Sequence, residues 1–343
     1  MNIYELIDKK VIDYAEIVVC LFDYCNMTCA FCSQNHNDTR GASREEIMSK
    51  VPGIVNWINK NTRSSYFKIH IMGGELFQDE LINKGFLDIY QEFIDSIRDQ
   101  VDPKKEVVPN FVTNLVFDEV DKVKDFLVKN NLKVSISYDP RGRFKGKQLE
   151  VFKRNVEYFK PQIEMVSLVM TKQNIAAVVA GDEYFDYLYS TFITDWDSLI
   201  PSVDIGEKMM PKESEVLQLY KLLVDKYPEC LNMKYFTEDT PNRMSCTRGN
   251  SYTVLFDGSN PVGCSGSVML RDPSTNVKDL GSPIILQKFF DSYDCFSCEY
   301  FSRCSFTCFI KNDYSKIVRD VGECVFKEVY RYVESKKTEN NIP

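Results

Sequence analysis

Twelve cysteines stand against only two histidines, His36 and His70, in a chain of 343 residues. The first cysteines read Cys25-Asn-Met-Thr-Cys29-Ala-Phe-Cys32, a C-x3-C-x2-C spacing. Three thiolates on so short a loop can hold three irons of a four-iron cube, leaving the fourth iron open to a ligand that is not protein. A zinc site short of its fourth ligand would use the same residues, but abundant thiol and scarce imidazole favour iron–sulfur chemistry. Eight of the twelve cysteines follow residue 225, among Gly, Ser, Asp and Pro. They run Cys230, Cys246, Cys264, Cys295-x2-Cys298-x5-Cys304-x3-Cys308 and Cys324. Zinc also suits C-x2-C, and either metal would tie together a loop-rich region with little core. Cys20, among Val18, Val19 and Leu21, reads as a buried, inert thiol. Cys230 reads as a free thiol or as a further metal ligand.

The elements that must position these groups alternate. Residues 16–22 (EIVVCLF) read as a strand ending just before Cys25. Ser43 and Glu46 have capping-box spacing ahead of Ile47, Val51, Ile54, Val55 and Ile58, and Pro52 predicts a break in that helix. Strands are expected over 66–72, 107–113, 132–138 and 163–170, with a sixth within 191–205. Helices are expected over 81–97, from 120, over 147–159, over 175–189 and over 211–227. The expected fold is α/β, a partial (β/α)6 TIM-like barrel with a small, loop-rich C-terminal cluster domain. The expected divisions are 1–235 for the barrel, 236–330 for the cluster domain and 331–343 for a tail. Such barrels carry their functional groups at the C-terminal ends of strands. Gly73-Gly74-Glu75, Thr113-Asn114, Ser137 with Asp139, and Thr171 to Asn174 all fall there.

Composition excludes several classes. A net charge of −8 without a long basic run argues against a nucleic-acid binder that grips phosphates. No apolar run is long enough to span a membrane, and the N-terminal residues lack a signal peptide's apolar stretch. Free thiols and clusters then point to a reducing, cytoplasmic setting.

The ordered motifs resemble the radical S-adenosylmethionine (AdoMet) superfamily, and the C-terminal run resembles its SPASM extension, together spanning residues 16–326. The resemblance implies three 4Fe–4S clusters, one radical-generating and two auxiliary. Cys25, Cys29 and Cys32 would hold the first, with aromatic Phe31 before the last cysteine as in the family. Its open iron would chelate AdoMet, and the resulting 5′-deoxyadenosyl radical would take a hydrogen from substrate. Gly73 and Gly74 would let the backbone approach AdoMet, and Glu75 would pair with its ammonium. Leu76 stands where the family usually has proline. Thr113-Asn114 matches a Thr-Asn-Gly segment in which Leu115 replaces the glycine. Ser137 and Asp139 match a Ser-x-Asp segment near the ribose. Arg143, with Arg141 as competitor, would meet the carboxylate, and Asn174 would border the cofactor.

The SPASM pattern implies one auxiliary cluster on Cys295, Cys298, Cys304 and Cys324. It implies another on Cys246, Cys264 and Cys308, whose fourth corner is open or taken by Cys230. It departs in one place: five residues, not four, separate Gly258 from Cys264. The implied activity is oxidative modification or crosslinking of a peptide. The alternatives are dehydrogenation, isomerisation or epimerisation of a metabolite or nucleoside, and, from another class, a non-catalytic iron–sulfur or zinc scaffold. Asp139, Asp195, Asp197 and Glu207 are acids that could act as a base, with surface solvation the competing reading. An external one-electron donor such as flavodoxin or ferredoxin is expected. With no room for a leader-binding domain before the first strand, a separate peptide-recognition protein is a further expected partner.

Overall fold

The computed structural model describes residues 14–32, 34–198, 206–237, 251–255, 257–258, 294–301, 304 and 320–339. In chain order the first half runs β1 (Tyr14–Cys20), α1 (Arg44–Met48), α2 (Val51–Lys60), β2 (Tyr66–Met72), α3 (Asp79–Asn83), α4 (Phe86–Gln100), β3 (Glu106–Thr113), α5 (Val120–Lys129) and β4 (Lys133–Ser137). It continues with α6 (Gln148–Phe159), β5 (Ile163–Met170), α7 (Lys172–Val179), α8 (Glu183–Thr191), β6 (Ile193–Ser198), α9 (Gly206–Met209), α10 (Glu213–Lys226), α11 (Leu231–Thr237) and β7 (Ser251–Val254). A 3-10 turn (Cys295–Ser297) and α12 (Val325–Glu339) follow. No helix among the described residues is long and apolar enough to cross a membrane.

Seven parallel strands form one open sheet, ordered β6-β5-β4-β3-β2-β1-β7. The expected partial barrel is therefore present, with one strand more than expected. β7 falls inside the stretch assigned to the cluster domain, yet it pairs with β1 from Glu16↔Ser251 to Val19↔Val254. Its Tyr252 stacks on Trp57 of α2, ring centroids 5.3 Å apart. β1 thus lies inside the sheet, hydrogen-bonded on both sides, and the loop that follows it starts from a fixed point.

Alternation divides the sheet into two faces. Ile17, Val19, Phe67, Ile69, Ile71, Val166 and Leu168 are buried on one face, while the residues between them on the other face are half-buried. At the β6 edge, Asn232 of α11 pairs with the strand backbone. Its Oδ1 accepts from Trp196 N at 2.7 Å and its Nδ2 donates to Trp196 O at 3.2 Å, which covers exposed backbone. Pro52 does break the first helix, standing in the first turn of α2. The single helices expected over 81–97 and 175–189 are each two, turning at Gly85 and Gly181. α10 packs against both α7 and α12, so the C-terminal helix docks on the barrel through α10.

Candidate functional site

The loop after β1 carries Cys25, Cys29 and Cys32, each half-buried. Backbone bonds fix it on several sides: Cys25 N to His36 O (3.1 Å), Cys32 N to Cys29 O (3.1 Å) and Ala30 N to Gly142 O (2.7 Å). Burial pushes the Cys25 thiol up to about 12, with Glu75, Cys29 and Cys32 adding to the rise. Burial also raises Cys29 and Cys32, and Cys29 adds to the rise at Cys32. Burial thus favours the protonated form of all three thiols.

The strand ends around this loop are knitted to it. Gly74 N donates to Phe22 O at 2.8 Å and Glu75 N to Tyr24 O at 3.0 Å. A Cβ on Gly74 would lie 2.1 Å from Tyr24 O, so only glycine fits. The glycine pair is required here by the approach of two protein backbones, β1's loop and β2's turn. Glu75 is fully buried, 0% exposed. Its carboxylate accepts from Phe77 N (2.9 Å), Thr113 Oγ1 (2.8 Å) and Asn114 N (2.6 Å). Burial nevertheless holds its pKa above the ordinary carboxylate value. Asn114 also donates from Nδ2 to Asn26 Oδ1 at 2.9 Å, and that nitrogen is 4.0 Å from Cys25 Sγ.

Leu115, standing where the motif has glycine, adopts φ +58°. The left-handed conformation is kept with a leucine in it, at a cost of about 1–2 kcal/mol. Two contacts hold it there: Leu115 N donates to Thr113 Oγ1 (3.0 Å), and Leu115 O accepts from Asn155 Nδ2 (3.0 Å).

Arg143, 9% exposed, lies over Phe31 with its guanidinium carbon 5.2 Å from the ring centroid. Its Nε donates to Asp139 Oδ2 at 2.6 Å. Burial works against its charge, but Asp139 and the thiols of Cys29 and Cys32 outweigh that, and its pKa is raised. Ser137 is half-buried at the end of β4, in register with Ser167. Asn174, fully buried, sits in the first turn of α7 behind the N-cap Thr171 and bonds Asp139. Asp195 is half-buried on β6 and close enough to raise the pKa of Tyr220 and Cys230. The side chains of Asp197 and Glu207 lie outside the described residues.

Cys295, Cys298, Cys304 and Cys324 all line one cavity of about 260 Å³, with Tyr300, Phe326 and Tyr330. Burial raises Cys295, and the other three thiols add to the rise. Cys246, Cys264 and Cys308 lie outside the described residues. Cys230 is fully buried away from that cavity, its Sγ 3.4 Å from Thr194 O on β6 and from Asn232 Oδ1. The described cysteines are all free thiols. Among the described residues, no three His, Cys, Asp or Glu side chains are gathered so as to hold a single metal ion.

Three contributors escape sequence reasoning. Asn26 donates to Val116 O at 2.6 Å, Lys145 Nζ to Thr28 Oγ1 at 2.6 Å and Gln34 Nε2 to Gly73 O at 3.2 Å. Asn26 could have been found from its place beside Cys25; nothing in the sequence marks the other two.

No family model matches the sequence, and none of the curated proteins does. Solved structures do match the fold. Native anSMEcpe with bound AdoMet aligns over 95% of this chain and 100% of its own, with a TM-score of 0.63 and 16% identity. The same protein with AdoMet and the Kp18Cys peptide aligns over 96% and 100%, again at 0.63 and 16%. Streptococcus suis SuiB aligns over 92% of this chain and 78% of its own, at 0.52 and 12%. At these identities the likeness is one of fold, and the open α/β barrel expected from the radical AdoMet motifs is the fold these chains share.

Proposed function

We propose that the protein is a radical AdoMet enzyme of the SPASM type that modifies a peptide by oxidation. One observation supports the reading: the loop after β1 carries all three cysteines of the C-x3-C-x2-C spacing, with Glu75 and Asn114 near Cys25 and Arg143 near Cys29. The residues fit the implied groups. Three thiols on one loop suit a cube with an open corner, and a buried guanidinium is the partner that a cofactor carboxylate needs. In the C-terminal set, Cys295, Cys298, Cys304 and Cys324 line one cavity, the four thiols that one 4Fe–4S cube needs.

When bound, such a cluster would supply the electron that splits AdoMet, so that hydrogen could be taken from a substrate held in near-contact. The chain's own residues do the positioning. The loop after β1 presents the thiols, Glu75 fixes the ends of β2 and β3 together, and Arg143 places positive charge beside Cys29 and Cys32. Substrate would enter at this end of the barrel, under the C-terminal region. Support for a peptide comes from the shared fold with anSMEcpe, a protein solved with AdoMet and peptide bound. A small one-electron donor protein and a separate peptide-recognition protein complete the proposed set of partners.

The test is turnover by anaerobically iron-loaded, reduced protein. AdoMet should yield methionine and 5′-deoxyadenosine, and a substrate peptide should lose two hydrogens per 5′-deoxyadenosine formed. An isomeric or epimeric product would remove the oxidative part of the reading. Stoichiometric zinc with iron near zero would remove all of it.

A further inference from the structure

We propose that Asp139 is a positioning residue that acts on the cofactor through Arg143, and is neither a base nor a direct cofactor ligand. The inference rests on the AdoMet reading above and adds a residue role to it.

Asp139 follows β4 and is completely buried, 0% exposed. A carboxylate there is tolerable only if its oxygens are well supplied with donors. Its two oxygens divide the task. Oδ1 accepts from Val169 N on β5 and from Asn174 Nδ2 on α7, both at 2.7 Å. Oδ2 accepts from Arg143 Nε at 2.6 Å. Asn174 locks the anchor further: its Nδ2 also donates to Val169 O (2.8 Å), and its Oδ1 accepts from Arg141 N (3.1 Å). The segment from Asp139 to Arg143 is therefore pinned at its start, near its middle and at its end. Gly142 O accepts from Ala30 N at 2.7 Å, so the pinned segment is also the wall of the thiol loop.

Three bonds leave at most about one of the carboxylate's four acceptor sites, which suits neither proton uptake nor a ribose hydroxyl pair. The Asp139 bond uses one of the guanidinium's five N–H donors, leaving the planar fork to be aimed at another carboxylate. A long arginine side chain carries considerable rotamer freedom, and the Asp139 bond with the Phe31 stack removes it before any cofactor arrives.

The experiment uses full-length, iron-loaded protein and three variants: Asp139→Asn, Arg143→Gln and both together. AdoMet affinity is read by equilibrium dialysis, and the change in the reduced cluster's EPR spectrum on adding AdoMet is read alongside. Asp139→Asn should weaken AdoMet binding about 10- to 100-fold, the usual size for a lost supporting partner. Arg143→Gln should weaken it at least as much, and the double variant should be no weaker than Arg143→Gln alone. Before AdoMet is added, iron content should match wild type throughout. Equal affinity of Asp139→Asn and wild type overturns the proposal. So does a double variant about tenfold or more weaker than Arg143→Gln, which would mean that Asp139 meets the cofactor directly. Should Asp139→Asn fail to fold because it strands a buried cation, the double variant has no such charge and decides by the same comparison. Wild-type protein that binds iron but no AdoMet sinks the AdoMet reading and this inference with it. Failure confined to the Asp139 comparison leaves that reading standing.

Discussion

The two thiol sets use the same ligand chemistry on different supports. Cys25, Cys29 and Cys32 hang from a strand paired on both sides, and their loop is bonded to His36, Gly142, Asn114 and Gly73. Those bonds need no metal. Cys295, Cys298 and Cys324 belong to a short 3-10 turn and the residue before α12. That region is held by a Tyr300–Tyr330 stack at 4.9 Å, by Tyr300 Oη donating to Glu334 at 2.7 Å, and by ion pairs of Arg331 and Lys327 with Glu299 and Glu323. The ion pairs are exposed, and such pairs contribute about 0–1 kcal/mol each. If both sets take metal as proposed, the barrel set would be shaped ahead of it, whereas the C-terminal set would depend on it for much of its shape.

The largest expected effect separates function from stability at the barrel set. Changing Cys25, Cys29 and Cys32 together to alanine should remove about four of about twelve irons. It should also reduce AdoMet cleavage to background, while thermal unfolding of the barrel moves by only a few degrees. A large fall in Tm would erase the contrast between the two regions. The reverse pattern is expected for Cys324→Ala. There the cavity loses a thiol that directly precedes α12, and protease cleavage within 294–339 should accelerate several-fold. Slow cleavage equal to wild type would show that the aromatic stack alone holds the region.

Much of this contrast was legible in the sequence, because cysteine spacing and period-two strands are local signals. The strands over 66–72 and 163–170 are found where expected, since apolar and polar residues alternate there. β7 was not legible: four residues, Ser251 to Val254, give too short a pattern among turn residues. The donors on Glu75 were not legible either, as Thr113 and Asn114 lie 38 and 39 residues away and meet it only when β2 and β3 pair. Asp139 was singled out for its carboxylate, but its committed oxygens depend on β5 and α7 packing beside β4. For Gly74 the residue type was readable and the cause was not, because the cause is a carbonyl of another segment.

Leu115 tests how much strain the pre-shaped site tolerates. Leu115→Gly relieves about 1–2 kcal/mol of left-handed strain. It also removes a side chain only 1% exposed, and deleting a buried leucine costs about 2–5 kcal/mol. Burial should win, giving a net loss of roughly 1–3 kcal/mol in chemical denaturation, with AdoMet affinity little changed. A stabilised variant would show that strain at this turn exceeds the packing it supports.

The smallest effect concerns Cys230, a buried thiol that belongs to neither set. It is fully buried, and its Sγ lies 3.4 Å from Thr194 O. Burial pushes its pKa up to about 12 from an ordinary 9.0. The folded state therefore holds the proton more tightly than the unfolded chain does. This contribution to stability is fully present below the unfolded pKa and is lost as pH rises from about 9 towards about 12. Cys230→Ala removes that share, so the stability lost between about pH 8 and about pH 10 should be smaller than in wild type. The thiol should also resist alkylation in the native protein near neutral pH, because the thiolate is the reactive form. Iron content and cluster spectra of Cys230→Ala should equal those of wild type. Loss of about four irons would instead make Cys230 a ligand, and its place beside β6 would then have to change when metal is loaded.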